Sequence, residues 1–338
     1  MKKLILASIV ASAATVASAQ VTIYGMVDTA VQSYNNGTAR FSRSADNLWS
    51  TSRLGFRGTE DIGSGLKANF QLEAQVNPAA GSVGSTTVAT NEMFNREAWV
   101  GLSGGFGEFR IGRTDMTLAG EMDILTTQAG NFALMPTNGT TVELGTDQKN
   151  VFKYISPSFK GLQLQLSHGS NAVGSTTDAG TTQDSASLSY TQGKLKIAVA
   201  HHRVDGSGVA KKDATSAGIA YDFGPVSIGA AHVQGDNSTT ADVKSSASIV
   251  SAKVPFAHGF AGHVAVGQTT AGAVSTNNKG VGYTVALTKE FSKRTLVYGA
   301  YTNVNNQSGS SMSMTGVTAP TVAGLDTSAV SFGINHRF

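Results

Sequence analysis

Polar and apolar residues alternate with a period of two through most of this 338-residue chain, in runs of about ten residues separated by turn-forming clusters. Alternate side chains of a strand point to opposite faces, so such runs make strands with one apolar and one polar side. In Gly65–Val76, Leu66, Ala68, Phe70, Leu72, Ala74 and Val76 share one face, and Lys67, Asn69, Gln71, Glu73 and Gln75 share the other. Leu162, Leu164 and Leu166 alternate with Gln163, Gln165 and Ser167. Val330, Phe332, Ile334, His336 and Phe338 alternate with Ser331, Gly333, Asn335 and Arg337. Two-faced strands of this kind must be paired on both edges and must place one face away from water.

The connections narrow the architecture. Seven short turns, at Asp61–Gly65, Gly104–Gly107, Pro157–Gly161, Gln192–Gly193, Gly224–Pro225, Phe256–Phe260 and Phe291–Arg294, alternate with eight longer polar segments rich in Gly, Ser, Thr, Asn and Asp. The longer ones include Tyr34–Leu48, Asn77–Met93, Thr114–Gln148, Asp205–Lys212 and Asn303–Gly324. Seven and eight connections separate sixteen strands, and an even count puts both chain termini on one side of the barrel. The fold class expected is all-β: a 16-stranded antiparallel transmembrane β-barrel with short turns at one rim and long loops at the other. A tilted strand of about 9–11 residues spans a bilayer, and closure removes the unpaired edges that lipid cannot satisfy. A soluble sandwich or secreted adhesin would also alternate. The sustained loop asymmetry, the polar faces throughout and a last strand ending in Phe338 weigh against it.

The first residues read as an export signal rather than structure. Lys2 and Lys3 precede the apolar run Leu4–Ala14, too short to span a bilayer as a helix, and Ala17-Ser18-Ala19 has the small-x-small pattern of a cleavage site. The expected division is therefore 1–19, a cleaved signal peptide, and 20–338, the barrel domain. The absence of Cys leaves no disulfides to an exported chain. Lys and Arg number 25 against 22 Asp and Glu; removing Lys2 and Lys3 leaves 23, a net +1. No basic stripe suggests nucleic acid. His201 and His202 are adjacent, so on a strand they point apart. Gly81–Ser85 lacks the Gly-Lys-Ser/Thr ending of a phosphate loop. No nucleophile–base pairing stands out, so neither enzyme activity, cofactor nor metal is expected.

Several stretches together resemble the Gram-negative general (non-specific) porins of betaproteobacterial type. Val21–Asp28 is similar to that family's first strand, Ser52–Ala68 to its second hairpin, and Asn95–Leu102 leading into Phe109–Arg113 to the next. Tyr154–Pro157 with Phe159–Gly161, and the terminal Gly333–Phe338, add to the match. The resemblance implies an outer-membrane porin with a water-filled channel for passive diffusion of ions and small hydrophilic solutes. It also implies a homotrimer surrounded by outer-membrane lipid and lipopolysaccharide, and a C-terminal signal ending in Phe338 that is read by the barrel assembly machinery. The third long loop, here Thr114–Gln148, would fold into the lumen.

Selectivity in such a pore is set by its width and its lining charges. By the family pattern Arg53 and Arg96 are basic wall residues, with Arg113, Lys149 and Lys153 as further candidates; Glu121, Asp123 and Asp115 would oppose them from the third loop. The basic wall favours a mild anion preference, which the loop acids limit. Some of these charges could equally serve only to line a wet lumen, Arg57 by pairing with Glu73. If Arg96 faces the lumen, strict alternation sends Ala98, Val100 and Leu102 inward and Glu97 and Trp99 outward. Tyr24, Trp99, Tyr154, Tyr190, Tyr221, Phe223, Phe291 and Phe338 form either interfacial girdles or ordinary strand packing. A structural or adhesive outer-membrane barrel with a closed lumen is the alternative.

Overall fold

The computed structural model describes residues 21–84, 92–116, 130–131, 148–171, 180–206, 209–236, 244–272, 278–314 and 316–338. The strands are β1 (Thr22–Asn35), β2 (Arg40–Asp46), β3 (Arg53–Gly63), β4 (Leu66–Asn77), β5 (Ser82–Val83), β6 (Glu97–Gly104), β7 (Gly107–Thr114), β8 (Gln148–Ile155) and β9 (Leu162–Asn171). They continue with β10 (Thr181–Gln192), β11 (Leu195–Gly206), β12 (Val209–Asp222), β13 (Ser227–Asp236), β14 (Lys244–Pro255), β15 (Phe260–Thr270), β16 (Lys279–Glu290), β17 (Thr295–Asn306) and β18 (Thr327–Arg337). β2 and β3 lie end to end along β1, and β5 only folds back on the end of β4, so sixteen staves remain. Each is antiparallel to its neighbours, and β18 returns to β1, with Met26 opposite Arg337 and Asn35 opposite Ser328. This is the closed barrel that the alternation implies.

The barrel is apolar outside and polar inside. Outward residues such as Val31, Val100, Phe152, Val250, Val285 and Phe332 are all more than half exposed. A sheet stranded in water would not leave so continuous an apolar surface. On β9 to β12 the outward apolar residues give way toward the loop rim to His168, Asp184, His201, Arg203 and Asp213, which marks the upper limit of the apolar belt there. At the turn rim the outward aromatics include Tyr154, stacked on Phe109 (4.7 Å), and Tyr221, beside Phe223 (4.5 Å).

Three local expectations are corrected. Tyr34–Leu48 is not a long loop: β1 and β2 pair as far as Asn35 and Arg40, and the turn is only 36–39. Asn36 Oδ1 accepts the backbone N–H groups of Thr38 and Ala39 and the Thr38 hydroxyl, and Gly37 takes a positive φ of 91°. Asp205–Lys212 is likewise mostly strand, since β11 runs to Gly206 and β12 begins at Val209. Glu97 and Trp99 face inward and Val100 and Leu102 outward, because Glu97 and Trp99 pair with the inward Glu73 and Gln71. Arg96 precedes β6, so the alternation of that strand does not bind it. The outward carboxylate that strict alternation would place at Glu97 does not arise.

The irregularity of the second stave lies at 47–52, between β2 and β3, and it enters the barrel. Its neck is closed on β1: Asn47 N–H donates to Asp28 O (3.2 Å), and Asp28 N–H to Ser52 Oγ (2.9 Å). Asn47 has a φ of 64°, a conformation asparagine tolerates better than most residues. Inside, Leu48 is fully buried, and the Trp49 ring packs on inward-facing Tyr298 (5.5 Å) and His263 (5.1 Å). Fully buried Asp28 ties the assembly together, accepting from Tyr298 Oη (3.0 Å), Asn335 Nδ2 (3.0 Å) and Trp49 N (3.1 Å). From the loop rim, part of the last connection also turns inward. Met312 and Met314 cluster with Val304 and Ala271, and Val317 with Tyr34 and Ala329. A Cβ on Gly316 would stand 2.4 Å from Leu48 Cδ2, so the two inward segments touch.

The Asp28 network predicts the cost of losing one donor. Tyr298→Phe removes a hydrogen bond to a fully buried carboxylate and should destabilise the barrel by about 1–3 kcal/mol. Urea titration in detergent, followed by tryptophan fluorescence, would read this through Trp49.

Candidate functional site

The charged part of the lumen lies on β3, β4, β6, β7 and β8. Register places Gly55 opposite Glu73 and Glu73 opposite Glu97, so a row of inward positions crosses three strands. Glu73 is 4% exposed and is its centre. Arg96 Nε donates to Glu73 Oε1 at 2.6 Å, and Arg53 approaches the same oxygen at 3.7 Å. Tyr24 Oη donates to Glu73 Oε2 (2.9 Å) and accepts from Gln71 Nε2 (2.8 Å). Gly55 makes this possible, since a Cβ there would lie 2.4 Å from the Tyr24 ring. Both arginines of the family pattern therefore stand together on the wall, held by one carboxylate. Arg57 does not pair with Glu73; its guanidinium lies over the Tyr24 ring at 5.0 Å.

A second group continues the wall. Lys153 is 6% exposed and donates from Nζ to Asp115 O (3.0 Å). Burial pushes the Asp115 carboxyl up, but its neighbours Glu97, Lys153 and Arg96 hold it below its ordinary value. Arg53, Arg96 and Lys153 thus share this part of the wall with Glu73, Glu97 and Asp115.

Arg113 and Lys149 belong elsewhere. The ladder between β7 and β8 shifts register after Gly112, and Asn150 has a φ of 54°. There Arg113 donates to Glu92 (2.9 Å) and to Asn95 O (2.6 Å), and Lys149 also pairs with Glu92. Hydrogen bonding to Lys149, reinforced by Arg113, holds the Glu92 carboxyl below its ordinary value against an upward push from burial. Glu121 and Asp123 lie outside the described residues. Two described residues of the same connection, Gly130 and Asn131, sit on the inward segment: Asn131 N–H donates to Trp49 O (2.8 Å) and its Nδ2 to Asn47 O (2.7 Å). Phe338 closes the barrel, exchanging backbone hydrogen bonds with Gly25 at 3.2 and 3.1 Å.

Sequence reasoning named Glu73 only as a partner for Arg57, turned Glu97 and Trp99 outward and left Arg110 unassigned. Their signal was the register of β6 on β4, which depends on where the strand begins. Of the girdle candidates, Tyr24 and Trp99 are inward; Trp99 carries the Arg110 guanidinium over its ring at 4.2 Å.

A family model described as Gram-negative porin matches residues 6–309. The chain is 30% identical to Outer membrane porin protein 32 of Delftia acidovorans over the full length of both. It belongs to the Gram-negative porin family. The solved anion-selective porin from Comamonas acidovorans superposes with a TM-score of 0.80 at 25% identity, covering 95% of this chain and all of that one. OmpF of Salmonella typhi shares the fold at 17% identity, with a TM-score of 0.68 over 95% of this chain and 98% of that one. As a porin of the outer membrane, the chain forms a channel for passive diffusion. Its short turns are the periplasmic rim and its loops the extracellular one.

The Glu92 triad gives a pH signature. A carboxyl whose value is depressed in the folded state stabilises above its unfolded value, and that increment is lost as pH falls through the folded value. The melting temperature of the wild type in detergent should fall on acidification below the ordinary glutamate range. Glu92→Gln lacks the increment at every pH, so its curve should be flatter across that acid range, with a small difference because the pair is partly solvated. Parallel curves would remove Glu92 from the acid response.

Proposed function

We propose that Arg53, Arg96 and Lys153 form the basic wall of the pore constriction, in a general porin with a mild preference for anions. The observation that carries this is the convergence of these three cations on one part of the lumen wall, with Arg53 and Arg96 held by the single carboxylate of Glu73. In a narrow, partly desolvated passage fixed cations act more strongly than in open water. The relative from Comamonas acidovorans described as an anion-selective porin agrees with this reading. Arg113 and Lys149, paired with Glu92, add charge nearer the extracellular mouth. Glu121 and Asp123 would complete a transverse field from the third connection, with Asp115 as the acid already beside the wall.

The same reading takes the chain to be a channel and not an enzyme, exported by a signal peptide at 1–19 and working as a homotrimer in lipid and lipopolysaccharide. Phe338, ending the strand that closes the barrel, would be the signal read by the assembly machinery.

Replacing the arginines alone would leave Glu73 buried without its partners, at a cost of about 3–5 kcal/mol. The test is therefore the triple variant Arg53→Gln, Arg96→Gln, Glu73→Gln, recorded as single channels in a planar bilayer under a KCl gradient. Wild-type reversal potential should show anion preference, and the variant should shift toward cations. An unchanged reversal potential would take the constriction away from these residues. An absence of conductance steps from folded wild-type protein would mean a closed, structural or adhesive barrel.

A further inference from the structure

A second basic feature lies on the lumen wall nearer the periplasmic rim. A recess of about 610 Å3 is lined by Arg57, Lys67 and Arg110, with Glu108 as its single carboxylate. Thr22, Thr59, Asn69, Gln71 and Ser103 supply neutral hydrogen-bonding groups around it, and Trp99 forms part of its wall. The recess follows from register. Arg57 lies opposite Gln71, Asn69 opposite Thr59 and Gly101, and Gly101 opposite Arg110, so these inward positions form adjacent rows on β3, β4, β6 and β7. Gly101 lets the Arg110 stem cross β6: a Cβ there would meet Arg110 Cγ at 3.4 Å and Phe109 O at 2.5 Å. The guanidinium then reaches the Trp99 ring and pairs with Glu108 at 3.0 Å.

The charges are not cancelled within the recess. Three cations meet one carboxylate, which Arg110 already engages. Asp61, opposite Lys67 in register, accepts the Gly63 N–H at 2.9 Å in the turn and does not line the recess. Arg110 Nε is buried without a hydrogen-bond partner. Asn69 Nδ2 is committed to Ser103 Oγ (2.8 Å), which fixes the floor between the cations. Arg57, laid over Tyr24, and Lys67 come from neighbouring strands. A recess of this size, with a local excess of two positive charges and a polar floor, matches a small dianionic oxyanion better than a neutral sugar or a cation. Guanidinium groups present forked donors that suit phosphate oxygens.

We propose that this recess is a low-affinity phosphate subsite on the periplasmic side of the pore, binding inorganic phosphate or the phosphate group of a small ester. It rests on the lumen being open. Its place on the wall below Arg53 and Arg96 lets it raise the local concentration of anions entering or leaving the constriction. Binding is weak because the recess is open to the lumen, and a weak site is what conduction requires.

Single-channel recording in KCl tests it, with inorganic phosphate added to one side at a time and ionic strength held constant with KCl. The expected result is a saturable fall in current or a rise in open-channel noise, at lower phosphate concentration from the periplasmic side. Arg57→Gln with Lys67→Gln should raise the half-saturating concentration at least tenfold, while the protein still folds, as judged by heat-modifiable migration. Glucose in place of phosphate should give no saturable effect. A phosphate response that does not saturate, or that is the same in the double variant, overturns the subsite and leaves the channel intact. If KCl steps are absent altogether, it is the channel reading that fails.

Discussion

The fold depends on one condition: every strand needs a hydrogen-bonding neighbour on both edges. In lipid an unpaired backbone group has no water to turn to. The β1–β18 ladder meets this condition, and the exchange between Gly25 and Phe338 carries pairing to the last residue of the chain. Once the sheet is closed, alternation does the rest. One face of each strand must meet lipid and the other must line the interior, so the molecule puts its apolar residues outside and its hydrogen-bonding residues within. Stability therefore comes from the ladders and from polar networks such as Asp28–Tyr298–Asn335 rather than from a conventional core.

Closure alone would leave a uniform tube, and this lumen is not uniform. Charges concentrate on β3 to β8. On β11 to β15 the inward residues are mostly small, with Ala198, Ala200, Ala214, Ala231, Ala247 and Ala265 buried along one sector. On the sector from β15 to β1, Leu48, Trp49, Met312, Met314 and Val317 fill space with apolar side chains. Filling with apolar groups does more than narrow the lumen. It lowers the local polarisability near the wall, so that charges on the other side act over longer distances. The inward segments and the basic wall thus work on the same passage from different sectors.

The strands were legible because alternation is a property of each segment. Loop Tyr34–Leu48 was misread because Asn36 and Gly37 turn the chain in four residues, while the polar Arg40–Asp46 looks like loop by composition; its pairing with β1 supplies what composition does not show. The 47–52 segment was invisible for a related reason. Leu48 and Trp49 face no lipid and no neighbouring strand in sequence, and their partners Tyr298 and His263 lie more than two hundred residues away. Arg53 and Arg96 were named by resemblance, and their shared carboxylate was not. Glu73 appears in the sequence as one polar residue among five on β4; only the strand registers and the placement of Tyr24 allowed by Gly55 bring three side chains, Arg53, Arg96 and Tyr24, onto it.

That shared carboxylate bears on how such a wall can be both charged and fixed. Two arginines facing an open lumen would repel each other and sample many rotamers, giving a diffuse field. Glu73 removes part of their charge but restricts both guanidinium groups, and Tyr24 and Gln71 restrict Glu73 in turn. What is lost in net charge is returned as a defined position, and position matters most where the passage is narrow. Lys153 repeats the device, its ammonium fixed on the Asp115 carbonyl beside the Asp115 and Glu97 carboxyls. In a wall built this way each arginine is partly neutralised by the carboxylate that holds it in place.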